Sequence, residues 1–213
     1  MAHGRLPSIR RALRAWSYQA GPGRYYQPSY SHIAQAIDLR EGAFLDLCCG
    51  PGWLAIHVAS GKPEVDAIGI DHSSTMLGYA QRNRGSSLNI TFQNMDASQI
   101  IYPAHTFAAA AAIQAAHHWT QPGAILAEVH RVLKPGGRFY LYEADSELDQ
   151  VPDGWVARRG LWPPHQLILW NWRRFGMNGT QWDELKAHVR ESPFGGGKDG
   201  RHGFYRRLVL TRS

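Results

Sequence analysis

The stretch that most constrains the fold runs from Phe44 to Ala59. It reads as a short apolar strand, a turn containing Gly50 and Gly52, and an amphipathic helix. The two glycines permit a tight turn and let the backbone approach a ligand closely, because a Cβ there would clash. The free amides at the start of the next helix can then receive a polar group of that ligand. This order predicts the first unit of an α/β domain.

The chain then continues to alternate strands with helices. The helix predicted over Pro122–Leu133 ends at Lys134 and a Pro-Gly pair, which favour a sharp return into a strand. Such alternation implies parallel strands joined by right-handed crossovers, that is, a Rossmann-like α/β fold with a mostly parallel sheet. The predicted parallel strands are Ala43–Leu47, Asp66–Ile70, Asn89–Gln93, Phe107–Ile113 and Gly137–Glu143.

The 213 residues fit one α/β domain with an appended cap. Thr180 is predicted as the N-cap of a closing helix, Gly195–Gly203 as a loop, and Phe204–Thr211 as an antiparallel edge strand. The single domain therefore has four predicted parts: an N-terminal helical segment at 1–40, a core at 41–150, a tryptophan-rich cap at 151–179, and the closing helix and strand at 180–213.

Composition indicates an ordinary globular protein, with 44% hydrophobic and 19% charged residues. No stretch approaches the length of a membrane span, and the basic start of the chain lacks the apolar region of a secretory signal, so we expect a cytoplasmic protein. An organelle transit peptide is the alternative. The excess of positive charge lies in the N-terminal and C-terminal parts of the chain. It indicates either an anionic partner or solvated basic faces on surface helices. The sequence contains no nucleic-acid-binding signature.

Two classes of cofactor fit the glycine turn. Gly50, Gly52 and Ala55 match the spacing G-x-G-x-x-A of dinucleotide-binding proteins, so an NAD-linked oxidoreductase is one hypothesis. Asp46 lies directly before the turn, where a carboxylate would repel a pyrophosphate but attract a cationic amino group. The chain also lacks a Tyr-x-x-x-Lys pair. A cofactor with a cationic group and no phosphate is therefore favoured.

The segment Leu45–Gly52 (LDLCCGPG) resembles the first motif of class I S-adenosylmethionine (SAM)-dependent methyltransferases, in the small-molecule group that includes quinone methyltransferases. Cys48 stands where the family usually has its first glycine. The segment Val132–Phe139 (VLKPGGRF) is a further hallmark, and the resemblance extends over about residues 41–145. It implies SAM as the cofactor and methyl transfer to a small molecule. Ala108 replaces a frequent acid, which leaves a SAM-binding protein without catalysis as another alternative.

The resemblance also implies positions that contact SAM. Asp71 ends the second strand nineteen residues after Gly52, where a carboxylate can accept ribose hydroxyls; a helix-start acid is the alternative. Met76 is expected to face the adenine, with Asp96 and the Ala97 amide near its ring. Gln114 would line the methionine part, and Tyr26 belongs to a segment that relatives fold over the cofactor or to ordinary packing. The predicted SAM-binding residues are Asp46, Cys48, Gly50, Gly52, Asp71, His72, Met76, Asp96, Ala97, Gln114 and Tyr26.

Methyl transfer needs alignment and exclusion of water, and a base only when the nucleophile carries a proton. His117 and His118 follow the fourth strand and are the predicted bases, with packing as the alternative; His165 is a weaker candidate. Glu143 and Asp145 are expected either to bind a cationic amine or to face solvent. Their spacing predicts no metal site.

The predicted cap is the part of the chain where a substrate-binding role is considered. Its tryptophans and arginines predict either a lid over a planar or anionic small molecule or simply a hydrophobic core. A nucleic-acid partner is not expected, and the sequence leaves the oligomeric state undetermined. The arginines concerned are Arg158, Arg159, Arg173 and Arg174.

Overall fold

The computed structural model describes residues 26–87, 89–150, 154–156, 170, 173–174 and 176–213. Residues 1–25 of the predicted N-terminal helical segment and most of the cap lie outside this part of the chain. So do three of the residues singled out above, Arg158, Arg159 and His165.

Seven strands form one sheet in the order β3-β2-β1-β4-β5-β7-β6. The first five run parallel, and β7 is antiparallel to both of its neighbours. This confirms the Rossmann-like α/β fold and the five predicted parallel strands. The strands are β1 Gly42–Leu47, β2 Val65–Asp71, β3 Ile90–Asn94, β4 Phe107–Ile113, β5 Leu133–Ala144, β6 Lys198–His202 and β7 Tyr205–Thr211.

Helices cover both faces of the sheet, so the central strands are buried on both sides, as parallel sheets require. Within β4, Ala109 and Ala111 contribute to the core under the first three helices, whereas Ala110 and Ala112 contribute to the core under the other two. The small side chains of this strand therefore serve both layers. The helices whose bounds the structure describes are α1 Gln27–Ala36, α2 Trp53–Gly61, α3 Ser74–Arg84, α4 Pro122–Val132 and α5 Gly179–Glu191, and a 3₁₀ turn spans Ala116–His118.

The end of the chain differs from the prediction. Residues 195–203 were expected to form a loop, but Lys198–His202 is a strand that pairs antiparallel with β7. Consequently β7 lies between β5 and β6 and is not an edge strand. The sequence of β6, KDGRH, has no alternation of apolar residues because this short strand is largely exposed at the sheet edge. Its backbone pairing with β7 forms it, and charged side chains are typical of protected edges.

The closing helix also begins at a different cap. Thr180 was predicted as the N-cap, but Asn178 occupies that position and forms a capping box with Gln181. The Asn178 side chain accepts from the Gln181 amide at 2.9 Å, and the Gln181 side chain accepts from the Asn178 amide at 3.1 Å. Asp183, in the first turns of this helix, pairs with Lys186 at 2.7 Å. Within the described residues, no helix is both long and apolar enough to cross a bilayer.

Candidate functional site

The glycine turn after β1 has left-handed backbone at three positions. Cys48, Gly50 and Gly52 have φ values of 55°, 52° and 79°. A Cβ at Gly52 would lie 2.4 Å from the ring of Phe92, whereas one at Gly50 would meet nothing within 4 Å. Gly52 is thus required by packing, and open space adjoins Gly50. Cys48 adopts a left-handed conformation that a glycine would take more easily.

Asp46 lies at the end of β1 and is only 2% exposed. Its carboxylate accepts a hydrogen bond from the Ala55 amide at 3.0 Å, so it caps the first turn of α2. Burial raises the pKa of Asp46 from 3.8 to about 8, and the charge of nearby Asp71 adds to this effect. A cationic group placed beside Asp46 would stabilise its ionised form, whereas a phosphate would not.

Asp71 ends β2 and joins two parts of the site. One carboxylate oxygen accepts from the Gly50 amide at 2.9 Å, and the other accepts from the Ser73 amide at 2.8 Å. Ser73 in turn caps α3 by accepting a hydrogen bond from the Met76 amide. The acid therefore holds the glycine turn against the start of α3, and each oxygen can still accept a further hydrogen bond. His72 next to it has a side chain that is 86% exposed.

The end of β3 adjoins the end of β2. The side-chain amide of Asn94 donates to the Asp71 carbonyl at 3.0 Å, and the Met95 amide donates to the same oxygen. Asp96 follows and is exposed, and its carboxylate accepts from the amide and the hydroxyl of Ser98. These bonds lower the pKa of Asp96, which keeps it ionised. Ala97 is buried beside it.

The end of β4 carries the two predicted histidines. Gln114 has a φ of 51°, and its amide donates to the Tyr142 carbonyl at 2.8 Å. Nδ1 of His117 lies 2.8 Å from Glu143, whose other oxygen accepts from the Ala116 amide at 2.6 Å. His118 is exposed, and its ring centroid lies 3.9 Å from that of His117.

Glu143 and Asp145, the acids at the end of the fifth strand, are both buried, so the expectation that they could face solvent is wrong. Glu143 lies inside β5 and is 1% exposed. Asp145 pairs with Arg201 at 2.5 Å and with Arg206 at 3.0 Å. Sequence reasoning missed the role of Glu143. The signal was present, since an acid within an apolar strand must find a partner when it is buried.

Tyr26 lies beside Phe204, whose carbonyl accepts a hydrogen bond from the Asp145 amide after β5. It precedes α1, belongs to the hydrophobic core and packs with its ring centroid 6.1 Å from that of Phe204. This contact matches the packing alternative, and a place over a cofactor stays a prediction for this residue. The predicted ligand contacts of Met76, which is half-buried, likewise stay predictions.

The fold thus brings most of the predicted positions to one edge of the sheet. β1 lies between β2 and β4, so the turns that follow these strands are neighbours. Trp119, just after the 3₁₀ turn, and Cys48 of the glycine turn pack against the same hydrophobic core. No group of three or more potential metal ligands occurs among the residues described. The gathered residues are Asp46, Cys48, Gly50, Gly52, Asp71, Gln114 and His117.

The sequence of this chain is similar to those of known proteins. Residues 44–137 match the family described as "Methyltransferase domain". The chain is 33% identical over 111 residues to a demethylmenaquinone methyltransferase of Deinococcus radiodurans, covering 52% of this chain and 46% of that relative. It is 35% identical over 106 residues to a ubiquinone/menaquinone biosynthesis C-methyltransferase of Desulfotalea psychrophila, covering 50% of this chain and 43% of that relative. The chain therefore spans less than half the length of these two curated relatives.

Solved structures show the same fold at low sequence identity. A candidate SAM-dependent methyltransferase from Methanococcus maripaludis superposes with a TM-score of 0.77 at 17% identity, covering 100% of this chain and 97% of its own. A SAM-dependent methyltransferase from Aquifex aeolicus gives a TM-score of 0.66 at 17% identity, covering 95% and 98%. These similarities extend the shared architecture beyond residues 44–137.

Proposed function

Because this chain belongs to the class I SAM-dependent methyltransferases, we propose that it transfers a methyl group from SAM to a small-molecule acceptor. The observation that carries the proposal is the pair of buried carboxylates, Asp46 and Asp71, on either side of the glycine turn. Asp46 disfavours a pyrophosphate and favours a cofactor with a cationic amino group, and Asp71 can accept neutral ribose hydroxyls. An NAD-linked oxidoreductase is therefore not favoured.

Different residues at the strand ends are proposed to contact different parts of the cofactor. Asp71 would accept ribose hydroxyls through the free lone pairs of its oxygens while it keeps the Gly50 and Ser73 amides. Asp46 would face the cationic amino end, close to the open space at Gly50. The remaining contacts are proposals from the family resemblance: His72, Met76, Asp96 and Ala97 around the adenine, Cys48, Gly52 and Gln114 along the methionine part, and Tyr26.

The acceptor is proposed to be a planar small molecule. The two relatives named above are quinone-pathway methyltransferases by name, and another relative is a sterol 24-C-methyltransferase of Aspergillus fumigatus, 30% identical over 126 residues. The fold would supply alignment of the reactants and exclusion of water. His117 and His118 are the proposed proton acceptors. A cytoplasmic location and the absence of a metal stay predictions.

Loss of the family acid at Ala108 does not argue against catalysis. Ala108 lies near the amino end of β4, and its Cβ would lie 3.6 Å from a Cβ at Gly42, the first residue of β1. Gly42 and Asp46 are at opposite ends of the same strand, so Ala108 is remote from the proposed site. A SAM-binding protein without activity is therefore the less favoured alternative.

Calorimetry with SAM, S-adenosylhomocysteine and NADH tests the cofactor. We expect the first two to bind in the micromolar range and to raise the melting temperature, since a ligand selective for the native state stabilises it. Asp71→Asn should weaken SAM binding by about 1.5 to 3 kcal/mol. The control is Asp66→Asn in the same strand, where the side chain is exposed and no change is expected. Binding of NADH without SAM would reject the proposal.

Methyl transfer itself is tested with SAM labelled on the methyl group and an extract of metabolites as the source of acceptor. The appearance of label in a small organic product, identified by mass spectrometry, is the expected result. Binding of SAM without any labelled product would favour the binding protein over the enzyme.

A further inference from the structure

We propose that β6 is the interface of a two-fold dimer, in which the edge strand of one copy of this chain pairs antiparallel with the same strand of a second copy. The pairing is centred on Gly200 and joins the two seven-stranded sheets into one. This inference goes beyond methyl transfer and does not depend on it.

The outer edge of β6 carries open backbone groups. β6 is the last strand of the sheet, and apart from its ladder with β7 no backbone hydrogen bond to Lys198–His202 occurs among the described residues. His202 and Tyr205 flank a two-residue turn, so they exchange backbone hydrogen bonds, and every second residue along β6 does the same. The amides and carbonyls of Asp199 and Arg201 consequently point away from β7. Such a row of donors and acceptors is a template for another strand.

The side chains of these two residues are complementary when the strand pairs with itself. Asp199 and Arg201 lie on the same face of β6, and their side chains are 43% and 52% exposed. When Gly200 lies opposite Gly200 of the second copy, Asp199 of each copy lies opposite Arg201 of the other. Each of these opposite pairs then exchanges backbone hydrogen bonds and also forms an ion pair.

Other registers of the same antiparallel pairing lose this match. A slide of two residues in one direction places Asp199 opposite Asp199 of the second copy, and a slide in the other direction places Arg201 opposite Arg201. Like charges directly opposite each other are unfavourable. A slide of one residue brings the open amides of one strand opposite residues whose backbone groups are already paired with β7. Charges that deter unspecific pairing of an edge strand therefore allow one register here.

Asp199 and Arg201 can form these pairs while they keep their partners within the chain. One oxygen of Asp199 accepts from the Trp182 indole at 3.1 Å, and the other pairs with Lys186 at 3.1 Å. Each of these oxygens can accept a further hydrogen bond. Arg201 directs Nη2 to Asp145 and has other N–H donors. Both side chains are thus held in place before a second copy binds, which reduces the entropy lost on association.

Gly200 and its neighbours on the other face of β6 also suit a second strand. Gly200 has no left-handed φ, and a Cβ there would meet only the Arg207 guanidinium at 3.9 Å, so nothing in the described part of the chain requires a glycine. A glycine inside a strand often marks the close approach of another backbone. Lys198 would lie opposite His202 of the second copy. Burial lowers the pKa of His202, which keeps it neutral beside the lysine.

The proposed cofactor sites remain complete within each copy. They lie at the carboxyl ends of the parallel strands, and β6 runs in the direction of these strands because it is antiparallel to β7. An antiparallel pair of β6 strands therefore directs the two sets of strand ends to opposite edges of the joined sheet. Loss of the dimer is expected to leave SAM binding unchanged.

Sedimentation equilibrium of the full chain at low salt tests the pairing. The wild type should sediment with twice the mass of one chain. Asp199→Arg places two arginines opposite each other and Arg201→Asp places two aspartates opposite each other, so each variant alone should be a monomer. An equimolar mixture of the two variants restores opposite charges in both pairs and should form a heterodimer. The control Asp66→Arg reverses an exposed charge in β2 and should leave the dimer intact.

Circular dichroism checks that the variants fold, since Arg201→Asp also loses its pair with Asp145. If that variant unfolds, Arg201→Gln replaces it and should raise the dissociation constant of the dimer by roughly tenfold, because two exposed ion pairs are lost. A monomeric wild type overturns the proposal. So does a dimer that persists in both charge reversals or is unchanged in Arg201→Gln. Folded variants that stay monomeric after mixing show that the two side chains do not face each other, which also rejects it.

Discussion

At the scale of single residues, Asp46 stabilises the glycine turn and is also proposed to contact the cofactor. The carboxylate caps α2 through the Ala55 amide and is almost fully buried. One backbone hydrogen bond does not compensate for the loss of hydration of a full charge, so the pKa rises to about 8. The residue therefore stabilises the turn, and its ionised form becomes favourable only when a cationic group lies beside it.

This raised pKa predicts a pH dependence of stability. An acid with a higher pKa in the folded state contributes stability at low pH, and that contribution is lost as the pH rises from about 4 towards about 8. Asp46→Asn cannot ionise but keeps an oxygen for the Ala55 amide. In urea titrations between pH 5 and pH 8, the free energy of unfolding should therefore fall more steeply for the wild type than for the variant. Parallel curves would contradict the assignment.

At the scale of elements, the backbone contacts of the preceding residue set where α5 begins. Two polar residues, Asn178 and Thr180, are candidates for the cap. Met177 pairs with the end of β5, since its amide donates to the Ala144 carbonyl at 2.9 Å and its own carbonyl accepts from Ser146 at 3.1 Å. This bridge sets the direction of the chain, and the next residue, Asn178, takes the extended conformation of an N-cap.

Two alanine substitutions distinguish the caps. Asn178→Ala removes the acceptor for the Gln181 amide and should lower the free energy of unfolding by about 1 kcal/mol. Thr180→Ala, inside the first turn, is the matched control and should change it by less than about 0.5 kcal/mol. Urea unfolding monitored by circular dichroism measures both. A larger loss of unfolding free energy for Thr180→Ala than for Asn178→Ala would instead identify Thr180 as the N-cap.

At the scale of the whole molecule, Asp145 attaches the C-terminal hairpin to the end of the parallel sheet. Its buried carboxylate pairs with Arg201 of β6 and Arg206 of β7, and Arg206 also contacts Glu147. The last two strands are thereby connected to the segment that follows β5. Loss of the charge of Asp145 removes its ion pairs with Arg201 and Arg206, although Arg206 keeps its pair with Glu147.

Asp145→Asn should therefore destabilise the protein by about 1 to 3 kcal/mol, a range limited by the exposure of Arg201. The control is Asp149→Asn, whose ion pair with Arg173 involves a side chain that is 89% exposed. That change should cost at most about 0.5 kcal/mol. Differential scanning calorimetry compares the two, and equal effects would show that the buried pairs do not anchor the hairpin.

The sequence by itself determined the parallel core, because strand–turn–helix alternation and the glycine turn are local patterns that one chain segment displays in full. It also placed Asp46, Asp71 and Asp96 after or at the ends of their strands, since position along a strand follows from counting residues. Only the tertiary structure decided the pairings between distant segments. β6 exists because β7 lies beside it, and His117 is oriented by Glu143 because β4 and β5 are neighbours. Such contacts depend on the arrangement of whole elements, which no local pattern encodes.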